Sequence, residues 1–317
     1  MTTTTQPLLT LTNGELMPAF GLGVFQSPPE LTVAAVETAI AAGYRSIDTA
    51  AAYFNEREVG EGIRRSGIER GELWVQTKLW ISDYGYERAL RAFDASLDRL
   101  GIGYVDLYLL HWPMPSHFET TIASYHAAER LLAEGRVRAI GVCNFSPTHL
   151  EQLIARSEIV PSVNQVELHP FFTQREVRAT DVAHGVITQS WSPLGGVNVY
   201  AHRGAGQARN PLENPLIRRI AEKYGKTPAQ VVLRWHMEHG LSAIPKSVHP
   251  ERIVENFAIF DFALTVDEVA AIDGLDTGER GGPDPEKVDT ALFTKSVEEH
   301  YRQESADRDR NTAKTTT

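Results

Sequence analysis

The chain has 317 residues, of which 42% are hydrophobic and 23% are charged, which is ordinary for a soluble globular protein. Its formal charge of −10 excludes a general electrostatic attraction to nucleic acid or to an anionic membrane surface. Because Cys143 is the only cysteine, no intrachain disulfide can form, and a cytoplasmic location is predicted. No apolar run in the sequence approaches the length that spans a membrane.

The first predicted element is a β-hairpin, with Asn13-Gly14 as the turn between "LLTLT" and "ELMPA". Eight further runs have the composition of short strands. Several of them are nearly continuous in apolar residues, as expected of strands that are covered on both faces. These strand candidates are residues 20–25, 46–50, 74–79, 105–111, 139–144, 162–168, 186–192 and 241–246.

Amphipathic helical patterns separate the strand candidates. In residues 86–100, leucine and phenylalanine recur at steps of three and four, which predicts one apolar helix face. Helix starts are predicted at Ser146-Pro147, Thr227-Pro228 and Thr265-Val266, and the last two carry a capping box. Eight β-then-α units predict an α/β fold of the (β/α)8 barrel type, and the hairpin is in position to close its N-terminal end.

The alternative fold is a doubly wound open sheet. Such a sheet usually has a glycine-rich phosphate turn after its first strand, whereas here the glycines lie before and within that strand. We expect residues 1–303 to form one barrel domain. The polar segment 304–317 is predicted to be a disordered tail.

Four residues that carry protons or charge lie at the ends of predicted strands or in the loop that follows: Asp48, Tyr53, Lys78 and His111. Each alone is typical of a cap, a packed ring or a core histidine, but a barrel places its chemistry at this end. A charged lysine lowers the pKa of a nearby phenol, and a carboxylate keeps that lysine charged. The set therefore predicts an acid that protonates an oxygen while hydride reaches the carbon, with the imidazole either orienting the carbonyl or sharing in proton delivery.

The stretches "DTAAAYFNE", "TKLW", "DLYLLHWP", "GVCNFSP", "VNQVELHP" and "IPKSVHPERIVEN" resemble, in this order, the signatures of the aldo-keto reductase family. The resemblance extends from about residue 9 to about residue 290 and is strongest to the bacterial 2,5-diketo-gluconate reductase branch. It implies a TIM barrel that binds NADPH without a Rossmann domain and reduces aldehydes and ketones to alcohols. It also implies that Tyr53 is the general acid, tuned by Lys78 and Asp48, and that His111 orients the carbonyl.

The same resemblance implies a set of cofactor-binding positions. Asn144 and Gln165 correspond to residues that hold the nicotinamide carboxamide, and Trp191 corresponds to the ring on which the nicotinamide stacks. Cys143 stands where many relatives have serine, and a thiol is a weaker hydrogen-bond partner, so a small buried core residue is an equal alternative. The full implied set is Cys143, Asn144, Gln165, Trp191, Ser192, Leu194, Lys246, Ser247, Val248, Arg252, Glu255 and Asn256.

Two cations, Lys246 and Arg252, flank a predicted helix start after the eighth strand, which is typical of an anion site. The resemblance implies that they hold the 2′-phosphate, which favours NADPH over NADH. The long loop of residues 194–214 carries His202, Arg203 and Arg209. Our hypothesis is that this loop folds over the pyrophosphate, and the alternative is a surface loop without a ligand.

The resemblance also implies a substrate pocket above Tyr53, lined by Phe25, Trp80, His111 and Trp112. Such an apolar mouth suits carbonyl compounds with some apolar bulk, aromatic ones included. Selectivity in the resembled family depends on mobile loops and on the C-terminal segment, which here covers about residues 275–300.

Two other interpretations stay open. Glu167 and His169 lie on one face of a strand and are candidate ligands of a divalent-metal isomerase or hydrolase, although we expect no metal. The other is a nonenzymatic NADP(H)-sensing protein on the same fold, and the presence of all four residues Asp48, Tyr53, Lys78 and His111 argues against it. We expect a small-molecule carbonyl substrate, no nucleic-acid or membrane partner, and a monomer, as is common in the resembled family.

Overall fold

A computed structural model describes residues 6–196, 210–294 and 296–304 of the chain. The predicted hairpin is present, and its two strands pair antiparallel, with Leu9 opposite Met17. The eight predicted barrel strands follow in the predicted order. The strands are β1 (Leu8–Thr10), β2 (Leu16–Pro18), β3 (Leu22–Gly23), β4 (Ser46–Asp48), β5 (Trp74–Leu79), β6 (Val105–Leu110), β7 (Val137–Cys143), β8 (Val163–Glu167), β9 (Ile187–Trp191) and β10 (Ser242–Ala243).

Strands β3 to β10 form one parallel sheet in sequential order. Isolated parallel bridges from Phe20 to Ala243 and from Gly23 to Lys246 join the first strand of this sheet to the last. At this seam the Gly23 amide donates to the Pro245 carbonyl over 3.1 Å, and a Cβ on Gly23 would lie 2.8 Å from the Ile244 carbonyl oxygen. A glycine is therefore needed where the barrel closes, and the predicted (β/α)8 barrel is confirmed.

Helices alternate with the strands and cover the outside of the barrel. The predicted cap at Ser146 and the capping boxes at Thr227 and Thr265 are all present. The helices are α1 (Pro29–Ala42), α2 (Glu56–Ser66), α3 (Tyr86–Leu100), α4 (Phe118–Ala133), α5 (Pro147–Ile154), α6 (Arg175–Ala183), α7 (Pro215–Tyr224), α8 (Pro228–Glu238), α9 (Pro250–Phe257) and α10 (Val266–Asp273), and residues 297–304 are also helical.

The hairpin closes the N-terminal end of the barrel. Leu11 and Met17, at its inner side, are buried in one cluster with Trp74, Leu107 and Leu109, which point inward from β5 and β6. Because strand side chains alternate, the next inward residues toward the open end are Gln76 and then Lys78 on β5, and His111 after β6. Packing at the closed end thus fixes which side chains face the site at the other end.

The predicted loop residues His202, Arg203 and Arg209 lie outside the described residues. The predicted tail of residues 304–317 also lies outside them except for residue 304, and the domain boundary at residue 303 stays a prediction. No helix in the described ranges is both long and apolar enough to cross a membrane.

Candidate active site

A lysine, a carboxylate and a phenol meet at the open end of the barrel. Lys78 on β5 is fully buried, and its Nζ donates to the two carboxylate oxygens of Asp48 over 2.8 and 2.7 Å. The same ammonium donates to the Thr49 carbonyl over 2.9 Å and to the Tyr53 hydroxyl over 3.2 Å. Tyr53 lies in a short 3-10 helix, Ala51–Tyr53, directly after β4. One cation thus bridges a buried carboxylate and a phenol.

Burial and charge act in opposite directions on the lysine and the phenol. Burial lowers the pKa of Lys78, but the neighbouring acidic groups, led by the Asp48 carboxylate, together outweigh burial and hold it above its usual value, so the amine is charged. Burial raises the pKa of Tyr53, and the Lys78 charge opposes that rise without cancelling it. The phenol is therefore protonated at neutral pH. The predicted lowering of the Tyr53 pKa by Lys78 is present, but burial has the larger effect, so this pKa is raised overall.

His111 lies beside this group, immediately after β6. Its backbone N–H donates to the Leu79 carbonyl over 3.1 Å, and its ring centroid lies 5.6 Å from that of Tyr53, edge to face. Burial, assisted by the Lys78 charge, holds the pKa of His111 well below its ordinary value, so the imidazole is neutral. The Nδ1 atom is buried and makes no hydrogen bond within the described residues. A neutral imidazole at this position can donate one N–H.

The ends of β7, β8 and β9 bring an amide pair and an indole to the same cavity. Asn144 has a left-handed backbone, with φ of 64°, which asparagine tolerates better than most residues. Its amide nitrogen donates to the His111 carbonyl over 3.0 Å, and its amide oxygen accepts from the Trp191 indole over 2.9 Å. Gln165 also lines the cavity, while Cys143 is fully buried beneath it, where burial raises the pKa of the thiol.

The cavity at the open end has a volume of about 490 Å³, and most of its mouth is aromatic. The Phe25 ring lies 5.1 Å from the Tyr53 ring, and the Trp80 ring lies 5.0 Å from that of His111. Phe293, from the C-terminal segment, contacts Trp80 at 5.3 Å between centroids. The structure thus brings together the predicted substrate residues, including Trp112, and adds Phe293.

The predicted cofactor positions fall into two groups. Ser192, Leu194 and the exposed Lys246 line the cavity together with the residues already described. The others lie beyond it, in the loop after β10 and on α9. Within that outer group, Arg252 is exposed. Glu255 accepts a hydrogen bond from the Thr227 hydroxyl over 2.9 Å. The remaining members of the outer group are Ser247, Val248 and Asn256.

Glu167 and His169, the two candidate metal ligands, contact each other, and Glu167 also binds backbone groups of the C-terminal segment. The Glu167 carboxylate accepts hydrogen bonds from the backbone N–H groups of Gly281 and Gly282, over 2.7 and 2.9 Å, and its Oε1 lies 3.2 Å from His169 Nε2. No group of three or more metal-ligating side chains lies together in the described ranges. Glu167 therefore anchors the C-terminal segment to the barrel.

Sequence reasoning missed two buried glutamines, Gln76 and Gln189, which lie next to the site. The available signal was a polar residue in the middle of an apolar strand run, in "WVQTKL" and "VITQSWS". It also missed Phe293, although substrate selectivity was expected to depend on the segment that contains this residue.

Comparison with known proteins identifies one family. The family model described as "Aldo/keto reductase family" matches residues 18–277. The chain is 55% identical over 292 residues to "Morphine 6-dehydrogenase" of Pseudomonas putida, which covers 92% of this chain and 98% of that protein. It is 44% identical over 280 residues to "Methylglyoxal reductase DkgA" of Escherichia coli, which covers 88% of this chain and 97% of that protein.

Solved structures give the same result for the fold. A Brucella melitensis aldo/keto reductase superposes with a TM-score of 0.79 at 47% identity and covers 86% of this chain and 100% of its own. A Bombyx mori aldo-keto reductase in complex with NADP superposes with a TM-score of 0.81 at 34% identity, covering 88% and 95%.

Proposed function

The chain belongs to the aldo/keto reductase family, and on that premise we propose that it reduces aldehydes and ketones to alcohols with NADPH, with Tyr53 as the acid. The observation that carries the proposal is the Lys78 ammonium, which contacts both the Asp48 carboxylate and the Tyr53 hydroxyl at the wall of the cavity. Solved relatives bound to NADP support the choice of cofactor.

The lining of the cavity fits a reduced nicotinamide nucleotide. A flat indole, Trp191, stands beside the amides of Asn144 and Gln165, which match the hydrogen-bonding groups of a carboxamide. Cys143 lies beneath these amides and is fully enclosed, so we assign it to packing rather than to a cofactor contact. When bound, NADPH supplies the hydride that adds to the carbonyl carbon.

The proton that the reduction needs is supplied by residues of the chain. Tyr53 is protonated at neutral pH because burial raises its pKa, so it can donate to the carbonyl oxygen as negative charge develops there. The buried Lys78 ammonium stabilises the phenolate that remains, and Asp48 keeps the ammonium charged and in place. The neutral His111 donates an N–H to the carbonyl oxygen and orients it.

The same groups serve the reverse reaction, in which Tyr53 accepts a proton from an alcohol. The Lys78 charge then favours the phenolate that acts as the base. At the solvent side of the cavity, we propose that Lys246 and Arg252 bind the 2′-phosphate of the cofactor, near the start of α9. We place Ser247, Val248, Glu255 and Asn256 around the adenosine end.

The pocket favours substrates with apolar bulk, because its mouth is built from Phe25, Trp80, Trp112 and Phe293. The names of the two bacterial relatives suggest the panel for an assay: the ketone formed by oxidising a polycyclic alcohol of the morphine type, and the small ketoaldehyde methylglyoxal. We propose that this chain turns over the larger carbonyl compounds more efficiently.

The test is NADPH oxidation by the wild type and by Tyr53→Phe over this panel, with NADPH affinity measured in parallel. Loss of a general acid costs about 10²–10⁴-fold in rate, so we expect that loss in Tyr53→Phe with NADPH affinity retained. Tyr125→Phe is the matched control, since the Tyr125 hydroxyl bonds to the Ile159 carbonyl away from the site.

Wild-type turnover in Tyr53→Phe would overturn the assignment of the acid. If the wild type binds NADPH but reduces no carbonyl compound, the NADP(H)-sensing alternative replaces the proposal.

A further inference from the structure

Three glutamines lie inside the barrel, directly beneath the site. Gln76 on β5, Gln165 on β8 and Gln189 on β9 are each at most 2% exposed. The strand register places Asp48 beside Gln76, and Gln189 beside both Gln165 and Ser242. Since paired residues of parallel strands face the same side, these five residues form one polar layer across the barrel.

Hydrogen bonds connect this layer without interruption. The amide nitrogens of Gln76 and Gln165 donate to Asp48 Oδ2 over 2.7 and 2.9 Å. The same two nitrogens each donate to Gln189 Oε1 over 2.7 Å. The Gln189 amide nitrogen in turn donates to the Ser242 hydroxyl over 3.0 Å. Every amide of the layer is thus tied to Asp48, directly or through one neighbour.

The charge on Asp48 fixes the direction of each amide. An ionised carboxylate only accepts hydrogen bonds, so Gln76 and Gln165 must turn their NH₂ groups toward it. The second hydrogen of each NH₂ group points to Gln189, so Gln189 must present its oxygen. Both hydrogens of the Gln165 amide are then committed, and its oxygen is the atom that remains for a ligand in the cavity.

We propose that Gln189 is a positioning residue for carbonyl reduction, which holds the Gln165 oxygen toward the nicotinamide carboxamide and the Gln76 amide against Asp48. Gln189 is not among the residues that line the cavity, so it acts through its neighbours. The inference rests on the proposed function, because it assigns the carboxamide contact to Gln165. Gln189 thereby links cofactor binding to the Asp48–Lys78 pair, which supports Tyr53.

The test replaces Gln189 by methionine, which keeps the length of the side chain and removes the acceptor. An internal hydrogen bond is worth about 0.5–1.5 kcal/mol, so we expect NADPH affinity to fall about three- to tenfold. Because the Gln76 and Gln165 amides are then held less firmly against Asp48, we also expect the basic limb of the pH profile for alcohol oxidation to shift. A purely structural residue would lower the melting temperature and leave both quantities unchanged.

Two further variants complete the experiment. Gln189→Glu keeps an acceptor at the same place, so NADPH affinity should return to within about twofold of the wild type. Ser190→Ala is the control, because Ser190 is buried on the same strand and its hydroxyl bonds outside the layer, to the Leu168 carbonyl over 2.6 Å. It should leave affinity and pH profile unchanged.

Wild-type affinity and pH profile in Gln189→Met would overturn the proposal, as would a Gln189→Glu protein that behaves like Gln189→Met. If Gln189→Met does not fold, Ser242→Ala carries the test, since it removes the shorter of the two bonds that the Gln189 amide nitrogen donates, at 3.0 Å to Ser242 and 3.4 Å to Gln76. A smaller loss of NADPH affinity is then expected, and an unchanged affinity refutes the inference. Turnover of carbonyl compounds by the wild type is measured first, so that a failure of the proposed function is seen separately.

Discussion

Asp181, on α6, is a buried carboxylate away from the candidate site, and it forms no ion pair within the described part of the chain. Burial raises its pKa to about 7, although hydrogen bonds from Thr188, at 2.7 Å, and Asn164, at 3.1 Å, act in the opposite direction. In the unfolded chain this group titrates near pH ~4. The folded protein therefore holds the proton over a pH range in which the unfolded chain has lost it.

This difference sets the sign of a stability prediction. Because the folded state binds more protons between about pH 4 and pH 7, the free energy of unfolding falls as pH rises through that window. Asp181→Asn removes the titration, so its stability relative to the wild type should improve from pH 5 to pH 8. One pKa unit is worth about 1.4 kcal/mol, and we expect an improvement on the order of 2 kcal/mol.

Urea unfolding of the wild type and of Asp181→Asn at both pH values measures this change. The direct cost of the new amide beside Asn164 does not depend on pH, so it cancels in the comparison between the two conditions. Asp98→Asn, at an exposed position on α3, is the control and should show no such dependence. Parallel curves for the wild type and Asp181→Asn would contradict the prediction.

At the residue scale, the sequence predicted which side chains meet at the open end where a polar residue ends an apolar strand run. Asp48, Lys78 and His111 are polar residues at the ends of apolar strands, a position that a barrel reserves for its site. Gln76 and Gln189 sit in the middle of their strands, where the sequence does not say which face is inward. Only the register across several strands shows that they meet.

At the scale of elements, hydrogen bonds and an aromatic contact hold the C-terminal segment of residues 277–293 across one side of the cavity. Thr277 donates through its backbone N–H and its hydroxyl to the Phe171 carbonyl, over 3.0 and 2.9 Å. Glu167 holds the amides of Gly281 and Gly282, and Phe293 packs on Trp80. A buried carboxylate that accepts two backbone N–H groups is a strong anchor, because these bonds are charge-assisted.

Gly282→Ala tests this anchor. A Cβ at this position would lie 2.5 Å from the Trp191 ring and 3.1 Å from a Glu167 oxygen, so either the segment or the indole must move. We expect a loss of about 1–3 kcal/mol in the free energy of unfolding, as is usual for overpacking. We also expect the KM for bulky carbonyl substrates to rise more than kcat falls, since the segment forms part of the pocket. Steady-state kinetics and urea unfolding measure both effects.

Gly71→Ala is the matched control, because a Cβ on Gly71 meets no atom within 4 Å. If Gly282→Ala keeps the wild-type KM for every substrate, the segment does not shape the pocket.

Element boundaries were predicted less well than the elements themselves. The apolar run of residues 241–246 predicts a six-residue strand, but the ladder extends only over Ser242–Ala243, because Pro245 has no N–H to donate. Conversely, β7 begins at Val137, two residues before the predicted run. Strand ends depend on partners far along the chain, which composition alone does not reveal.

At the scale of the whole molecule, the formal charge of −10 means that the overall field repels a phosphorylated cofactor. Binding of the cofactor must therefore depend on local cations. Lys246, at the cavity, and Arg252, on α9, are both exposed and lie six residues apart around a helix start. Screening by salt limits the reach of each charge to about 10 Å, so the local pair and the overall field can be separated by experiment.

The double variant Lys246→Ala and Arg252→Ala should lower the affinity for NADPH by about tenfold or more while NADH binds as before, because only NADPH carries the 2′-phosphate. Bound cofactor stabilises the folded state by mass action, so the rise in melting temperature at fixed cofactor concentration reports the affinity. The control is Arg64→Ala with Arg65→Ala on α2, whose side chains pair with Glu61 at the surface. Both double variants remove two positive charges, so a shared loss of NADPH affinity would assign recognition to the overall field, and a loss in the first alone assigns it to the local pair.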